Sequence, residues 1–232
     1  MLTWFSQLLF QIAYPQFCVN CGKFWTLLCL DCFEQLDFYS VPLPTAPDSS
    51  LKSLRCAVRY GPVAHALVHA AKFQSVRAAA QCIGKILYWY CSPPQVEYVV
   101  PVPLGKNRLG ERGFNQAAEI AREYCALSGA VLLDCLVRTR ETAAQTQQTS
   151  REDRLKNMTG SFALHPRFSA QMLSGKSILL LDDVVSTGAT LESCASILLN
   201  ANATIIYAQT FAHGQITNSR GIMELLHGDV LH

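Results

Sequence analysis

Residues 178–190 have the sequence ILLLDDVVSTGAT, and this stretch decides the fold. An apolar run of this kind, bounded by turn residues, is typical of a strand that is buried on both faces. Two adjacent carboxylates, Asp182 and Asp183, interrupt the run, and a Ser-Thr-Gly-Ala-Thr turn leads into a predicted helix. Ligands of open parallel sheets bind where such strands end. The stretch therefore predicts an α/β fold with a ligand site at the carboxyl end of this strand.

The turn after this strand has the groups that bind a phosphate. Residues 186–190 offer backbone N–H groups, three hydroxyl groups and a helix N-terminus, which together favour an anion. Gly188 allows the backbone to approach the phosphate closely. The two aspartates can accept hydrogen bonds from the vicinal hydroxyls of a ribose. The alternative is an ordinary strand followed by a polar helix cap. The sequence contains no P-loop motif.

Strands and helices alternate through the rest of the chain. The sequence predicts strands over Arg55–Tyr60, Val96–Val102, Val131–Val137, Ser177–Val185 and Ala203–Phe211. It predicts helices over Pro62–Phe73, Val76–Cys91, Asn115–Leu127 and Thr190–Leu199. This alternation indicates βαβ units, and hence a mostly parallel sheet with helices on both faces. The polar stretch 139–157 predicts a mobile loop.

The composition limits the class of protein. Half of the 232 residues are apolar and 16% are charged, so the chain is expected to fold around a sizeable core. The net charge of +2 does not by itself indicate nucleic acid or an anionic membrane as a partner. The sequence has no apolar run of about 18 residues and no basic segment of a signal peptide near its start. We therefore expect a cytoplasmic protein without a membrane span.

Four of the ten cysteines are clustered, at Cys18, Cys21, Cys29 and Cys32. Their C-x2-C-x7-C-x2-C spacing lets two tight turns complete a tetrahedral shell of four sulfurs. Because so small a unit cannot bury a core, a metal must supply its folding energy. We predict a structural zinc ion, with an iron–sulfur cluster or coincidental cysteine pairs as alternatives. The other six cysteines are scattered through apolar segments, which is typical of a reducing compartment.

The N-terminal region is predicted to differ from the rest of the chain. A helix over 3–13 has apolar residues on one face, and no basic residues line its polar face, so it is expected to dock onto the protein rather than a membrane. Three prolines and no periodicity in 40–50 indicate a linker. The predicted division is 1–39 for the N-terminal helix and zinc finger, 40–50 for the linker, and 51–232 for the main domain.

A second predicted strand ends in a turn at 102–105, and a basic segment follows it. Residues 106–116 of this basic segment have the sequence KNRLGERGFNQ, in which three cations lie close to two glycines. This composition suits a mobile clamp for an anion. Further polar and basic residues follow downstream, namely Arg138, Arg140, Gln145, Gln148, Arg151, Arg154 and Asn157.

Together these motifs resemble those of the ComF family, almost from end to end. The resemblance joins the four-cysteine finger, the VPVPLG turn, the R-x3-RGFNQ segment and the 178–190 stretch, which is similar to the 5-phosphoribosyl-1-pyrophosphate (PRPP) signature of type I phosphoribosyltransferases. It implies a type I phosphoribosyltransferase domain, Rossmann-like with a mostly parallel sheet, preceded by a small zinc finger. It also implies binding of PRPP with Mg²⁺ and a role in DNA uptake during natural transformation.

The resemblance implies a role for each part of the site. Asp182 and Asp183 would hold the ribose at the catalytic centre, and the 186–190 turn would hold the 5′-phosphate. The 102–105 turn would lie at the pyrophosphate, beside the basic segment. The predicted substrate-binding residues are Ser186, Thr187, Gly188, Ala189, Thr190, Pro103, Leu104, Gly105, Arg108, Arg112, Asn115 and Gln116. For the last four, a solvated loop and helix cap is the alternative.

Two classes of function remain open. The first is a competence accessory protein that handles single-stranded DNA and partners such as a DNA-processing protein or a helicase. The second is an active phosphoribosyltransferase, a glycosyltransferase acting on an unknown base or amine. Some purine-salvage members of the superfamily carry Asp where Ser186 stands, and a serine cannot replace that base, so purine salvage is disfavoured. A regulator that responds to PRPP ranks last, because no helix-turn-helix signal is present.

One predicted helix carries further polar residues of interest. His65 and His69 are spaced i and i+4, but without an apparent third ligand they do not predict a second metal site. Lys72 in the same helix is expected to be a solvated lysine, with a contact to phosphate as the alternative.

Overall fold

A computed structural model describes residues 17–39, 41–74, 76–92, 94–139 and 160–214. The predicted helix over 3–13 and nearly all of the polar stretch 139–157 lie outside these residues. The downstream residues Arg140, Gln145, Gln148, Arg151, Arg154, Lys156 and Asn157 lie outside them as well. Within the described ranges, no helix has the length and apolar character needed to cross a membrane.

The strands form one parallel sheet and one small antiparallel pair. The strands are β1 (Ser53–Arg59), β2 (Tyr98–Pro101), β3 (Val131–Leu132), β4 (Leu136–Arg138), β5 (Phe162–Leu164), β6 (Ser177–Val185) and β7 (Ile205–His213). Five of them form the parallel sheet in the order β1-β7-β6-β2-β3, while β4 and β5 pair antiparallel outside it. The sheet confirms the predicted α/β class.

Helices cover both faces of this sheet. They are α1 (Leu30–Phe33), α2 (Pro62–Phe73), α3 (Arg77–Tyr90), α4 (Lys106–Arg112), α5 (Gln116–Ser128), α6 (Ala170–Leu173) and α7 (Ala189–Asn200). Alternate side chains of β6 enter two different cores, as the period of a strand requires. Leu179 and Leu181 pack with α2, α3 and α5, whereas Ile178 and Leu180 pack with α7.

Two predicted segments differ from the structure. The strand predicted over Val131–Val137 is wrong in extent, because pairing with β2 ends at Leu132 and the chain then leaves the sheet to form β4. The first part of the basic segment is helix α4 rather than a loop. Gly113 ends this helix in the left-handed region, at φ 75°, and its N–H donates to the Leu109 carbonyl.

The segment before β1 is tied to the main domain. The N–H of Tyr39 donates to the Ala57 carbonyl at 2.9 Å, and the N–H of Leu43 donates to the Leu54 carbonyl at 2.8 Å, along the outer edge of β1. Farther on, the Ser49 hydroxyl and the Ser50 N–H both donate to the carboxylate of Glu192 on α7. The predicted linker is therefore fastened both to the sheet edge and to a helix.

The finger also packs on the main domain through aromatic rings. The Phe38 and Tyr90 rings are stacked with their centroids 4.2 Å apart, and the Phe33 ring lies 5.8 Å from Tyr90. Tyr90 is the last residue of α3. Because offset aromatic pairs add to the free energy of apolar burial, these rings hold the finger against that helix.

Candidate functional site

A cleft of about 180 Å³ lies at the carboxyl ends of β2 and β6. Its charged lining side chains are two carboxylates and four cations, namely Asp182, Asp183, Lys72, Arg108, Arg112 and Arg138. Among the predicted substrate-binding residues, those in the lining are Pro103, Leu104, Arg108, Arg112, Asn115, Gln116 and Thr190. The excess of positive charge makes the cleft a site for an anionic ligand.

The two aspartates lie side by side on β6 and point to opposite faces of the sheet. Asp183 is 7% exposed and faces α2, where the Lys72 ammonium lies 2.8 Å from its Oδ1. Asp182 is half-buried, and its Oδ1 accepts a hydrogen bond from the Asp183 N–H at 2.8 Å. Burial and the charge of Asp183 raise the pKa of Asp182 to about 7, although Lys72 and Arg138 oppose the shift.

Lys72 is the residue of the site whose exposure is predicted wrongly from the sequence. The expectation of a solvated lysine is wrong, because its side chain is only 17% exposed and pairs with Asp183. A signal was present in the sequence, since Lys72 comes one helical turn after Val68, which is buried. That position turns the side chain toward the sheet rather than toward solvent.

The 186–190 turn follows β6, and Thr190 is the residue of this turn that lines the cleft. Gly188 is the N-cap of α7 and has φ +80°, a conformation that favours glycine. Among the described residues, apart from Gly188, its chain neighbours and the nearby backbone of its own helix, no atom lies within 4 Å of the position that a Cβ at Gly188 would take. Ser186 is exposed, whereas Ala189 is buried and Thr190 lines the cleft. The first N–H groups of a helix have no partner within the helix, so this turn can receive an anion.

Helix α4 presents two arginines to the cleft. Arg108 and Arg112 are one turn apart, and the helix begins directly after the 102–105 turn. The Arg112 guanidinium donates to Gln116 Oε1 at 3.0 Å and lies over the Phe73 ring, 5.3 Å from its centroid. These contacts fix the direction in which Arg112 enters the cleft.

Comparisons with known proteins agree with this geometry. The family model of the phosphoribosyl transferase domain matches residues 110–220. The DNA utilization protein YhgH of Escherichia coli is 26% identical over 159 residues, which are 63% of this chain and 66% of that protein. Competence protein F of Haemophilus influenzae is 23% identical over 198 residues, or 81% of this chain and 80% of that protein. The chain thus resembles the DNA utilization and competence proteins, and its residues 110–220 match the phosphoribosyl transferase domain.

The match with YhgH thus spans slightly less than two thirds of that relative's length. Among solved structures, the glutamine PRPP amidotransferase from B. subtilis aligns with 58% of this chain and 26% of its own chain. That alignment has 20% identity and a TM-score of 0.41.

Asn115 and Gln116 make hydrogen bonds that organise the cleft. Asn115 Oδ1 accepts from the Ala117 N–H at the start of α5, while its Nδ2 donates to the Val102 carbonyl at 3.0 Å. Gln116 is 2% exposed, and its Nε2 donates to the carbonyls of Ala71 and Phe114. Both side chains line the cleft, and they join α5 to the end of β2 and to α2.

Arg138 enters the lining of the cleft from a different part of the chain. It is the last residue of β4, and its guanidinium lies 5.4 Å from the centroid of the Phe162 ring on β5. In the sequence, Arg138 is recognised only as one of the polar and basic residues that follow the basic segment. Nothing there predicts that it lines the cleft. Its position depends on the antiparallel pairing of β4 with β5, which no local pattern predicts.

The four clustered cysteines come together near the start of the described chain. Their sulfur atoms all lie within 4.8 Å of one another. In the described part of the chain, these four cysteines are the group of three or more His, Cys, Asp or Glu side chains close enough together to hold a metal ion. His65 and His69 belong to no such group there. A set of four close thiols can hold one metal ion.

Hydrogen bonds to sulfur support this cluster. The Cys29 N–H donates to Cys18 Sγ at 3.5 Å, and Asn20 Nδ2 donates to Cys32 Sγ at 3.3 Å. Burial raises the pKa of Cys18, but backbone hydrogen bonds from Cys21, Cys29 and Asn20 together bring it down to about 6. Thiolate, the form of cysteine that binds metals, is therefore favoured at Cys18, whereas the pKa values of Cys21 and Cys32 are raised, with contributions from neighbouring cysteines of the cluster.

Proposed function

We propose that this protein binds PRPP, or another 5-phosphoribosyl ligand, and acts as an accessory of DNA uptake in natural transformation. One observation carries the proposal: four cations and two carboxylates converge on a single cleft beside the Gly188 turn. The names of the relatives, DNA utilization protein and competence protein, supply the cellular role.

The ligand has a place for each of its parts. The 5′-phosphate lies in the 186–190 turn, at the N-terminus of α7. The vicinal ribose hydroxyls donate to the carboxylates of Asp182 and Asp183. The pyrophosphate lies at the 102–105 turn, within reach of Arg108 and Arg112, whose forked guanidinium groups match phosphate oxygens. Mg²⁺ prefers oxygen ligands, and when bound with the ligand it neutralises the pyrophosphate charge.

The residues of the cleft would act by position and charge. If an acceptor is bound, its nucleophilic atom displaces pyrophosphate at C1 of the ribose, so that one bond to carbon forms as another breaks. The arginines stabilise the charge that develops on the leaving pyrophosphate, and the aspartates keep the ribose aligned. An active phosphoribosyltransferase in nucleotide or base metabolism is the alternative function. Its acceptor would be a base or an amine.

The four cysteines are proposed to hold a structural zinc ion. Four thiolates fill a tetrahedral shell and leave no position for a substrate, so the ion would stabilise the finger rather than take part in chemistry. A reducing, cytoplasmic location fits the free cysteines of the chain.

Calorimetry with PRPP and Mg²⁺, together with an uptake assay, tests the main proposal. The full chain is expected to bind PRPP, and the Asp182→Asn, Asp183→Asn double variant is expected to lose binding. Only the wild type should restore transformation of a deletion strain. Lys85→Ala, which changes an exposed lysine on α3, is the matched control. Absence of PRPP binding by the wild type would refute the proposal. Consumption of PRPP with one member of a panel of bases would favour the enzyme.

Single-stranded DNA is a proposed partner, along with competence proteins such as a DNA-processing protein or a helicase. The Arg108→Ala, Arg112→Ala double variant separates two roles of α4. If α4 binds DNA, the variant has a lower affinity, and its dependence on salt is less steep by about one unit for each phosphate that is no longer neutralised. Loss of PRPP binding with unchanged DNA affinity would restrict these arginines to the cleft.

A further inference from the structure

An apolar groove of about 860 Å³ lies between the finger and α3. Its large apolar lining residues are Leu28, Leu30 and Phe33 of the finger and Ile86, Trp89 and Tyr90 of α3. Leu30 is 67% exposed, Trp89 69% and Tyr90 46%. Large apolar side chains that are exposed side by side mark a surface to which another group binds. The name finger groove is used below for the surface that these six side chains form.

The finger groove continues the side of α3 that packs into the core. Cys82, Ile86 and Tyr90 all line it and are four residues apart, so they share one face of the helix. Ile86 is buried in the core, whereas Tyr90 is left at the surface. Of the described lining residues one is charged, Lys85, and its ammonium lies 3.7 Å from the Glu123 carboxylate. The groove therefore fits an occupant that is apolar and uncharged.

The segment that precedes the finger in the sequence has this chemistry. Residues 3–13, which lie outside the described ranges, contain no charged side chain. The residues on the apolar face of the helix predicted there are Trp4, Phe5, Leu8, Leu9 and Ile12. An isolated helix of this length is marginal in water, so its stability depends on packing the apolar face against another surface.

The connection between this segment and the finger is short. The described chain enters the finger at Phe17, and the Val19 N–H donates to the Leu27 carbonyl at 2.9 Å, next to Leu28 of the finger groove. Residues 14–16 join the segment to this point, and an extended chain spans at most about 3.6 Å per residue. So short a tether gives the segment an effective concentration on the order of millimolar near the groove, which favours it over a partner in solution.

We propose that residues 3–13 occupy the finger groove and pack their apolar face against Leu30, Trp89 and Tyr90. The uncharged segment matches the apolar lining, and the tether selects it over a second copy of the chain or another protein. The segment then covers these exposed side chains and adds to the stacked Phe38 and Tyr90 rings in joining the finger to α3. This inference concerns how the finger is held on the main domain, and it does not depend on the proposed ligand.

Photo-crosslinking of the full chain tests this inference. Trp89→benzoylphenylalanine places a photoreactive ring in the finger groove, and mass spectrometry after irradiation identifies the residues to which it links. We expect links to residues 3–13 of the same chain. Met172→benzoylphenylalanine changes an exposed apolar residue of α6 that does not line the groove, so it is the matched control and should give no such links.

Two further variants of the Trp89→benzoylphenylalanine chain test whether the apolar face makes the contact. Leu8→Asn with Leu9→Asn should lower the yield of these links at least about tenfold, because two apolar side chains that lie against the groove become polar. Ser6→Asn with Gln7→Asn introduces the same two asparagines outside the apolar face. This control pair should leave the yield unchanged.

Several results would overturn the inference. Links from position 89 to a second copy of the chain would make the groove an interface between copies. Links that avoid residues 3–13, or that reach them equally from position 172, would show that the segment does not occupy the groove. A yield that Leu8→Asn with Leu9→Asn leaves unchanged would show that the apolar face is not the one in contact.

Discussion

The Lys72 ammonium lies 2.8 Å from the Asp183 carboxylate, and the two side chains are only 17% and 11% exposed. This pair joins the end of α2 to the end of β6 across the floor of the cleft. Each charge is withdrawn from water and depends on the other for compensation. The pair therefore holds α2 and β6 together at the cleft.

Replacing Lys72 with methionine should destabilise the protein by about 3 kcal/mol, because it leaves the Asp183 carboxylate buried without its partner. Adding Asp183→Asn to Lys72→Met should restore part of this loss, since no unpaired charge remains. Urea unfolding of the single and double variants measures both effects. Lys85→Met, which removes an exposed lysine 3.7 Å from Glu123, should change stability by less than about 1 kcal/mol. Equal effects of the two methionine variants would contradict the prediction.

Replacing Asp182 with asparagine should stabilise the protein at pH 8. The pKa of Asp182 is raised to about 7, so the native state holds a proton that the unfolded state releases near pH 4. The wild type therefore loses stability as the pH rises from about 4 to about 7, and the loss persists above pH 7. Asparagine keeps the oxygen that accepts the Asp183 N–H but does not ionise.

The gain in unfolding free energy of Asp182→Asn over the wild type should be at least about 1 kcal/mol larger at pH 8 than at pH 5, since one pKa unit corresponds to about 1.4 kcal/mol. Thermal or urea unfolding at the two pH values measures it. Asp37→Asn removes an exposed carboxylate and should show no comparable dependence on pH. A gain that does not change with pH would argue against a raised pKa for Asp182.

The cysteine cluster should bind one zinc ion per chain. Cys29→Ser removes a buried ligand, so the purified variant should contain much less than one equivalent of metal, and the finger should unfold locally. Elemental analysis and proteolysis of the finger follow the two effects. Cys125→Ser changes a cysteine of α5 that lies outside the cluster, and it should keep the full metal content. A disulfide within the cluster, or metal-free wild-type protein, would disprove the assignment.

Gly188→Val should abolish PRPP binding while the fold persists. The backbone at Gly188 has φ +80°, which costs a residue with a side chain about 1–2 kcal/mol, but in the described part of the chain the space around the new Cβ is open beyond its immediate neighbours. The valine would occupy the space into which the phosphate must come. Gly175→Val is the matched control, since Gly175 has φ +73° and equally open surroundings before β6. Calorimetry should show a comparable loss of stability in both variants. Only Gly188→Val should lose PRPP binding. Retained binding would place the phosphate elsewhere.

Much of the fold follows from local sequence signals. Ser177–Val185 and Pro62–Phe73 have the predicted bounds, because a continuous apolar run and an amphipathic pattern that starts with proline are both local. Leu132 ends β3 early for a reason that is not local. The chain there turns to pair β4 with β5, which lies beyond residues 140–159 in the sequence.

The candidate site is predictable to a similar degree. Adjacent carboxylates and a glycine turn at a strand end identify the cleft from sequence, and the structure brings them beside the basic segment. The helical spacing of Lys72 from Val68 indicates only that Lys72 faces the sheet, and the contacts of Lys72 and Arg138 depend on elements that are distant in sequence. The roles of Asn115 and Gln116 in ligand binding stay predictions, since their hydrogen bonds in the structure go to protein groups.

The backbone pairing of Tyr39 and Leu43 along β1 affects how copies of the chain can associate. An uncovered strand edge is a template onto which another chain adds, which is the first step toward aggregation. Here one border of the sheet is already occupied by the chain itself, and the opposite border, β3, is two residues long. Sheet extension between molecules is therefore disfavoured even in concentrated samples. Any self-association should depend on exposed side chains such as Trp89, and it should respond to substitutions there.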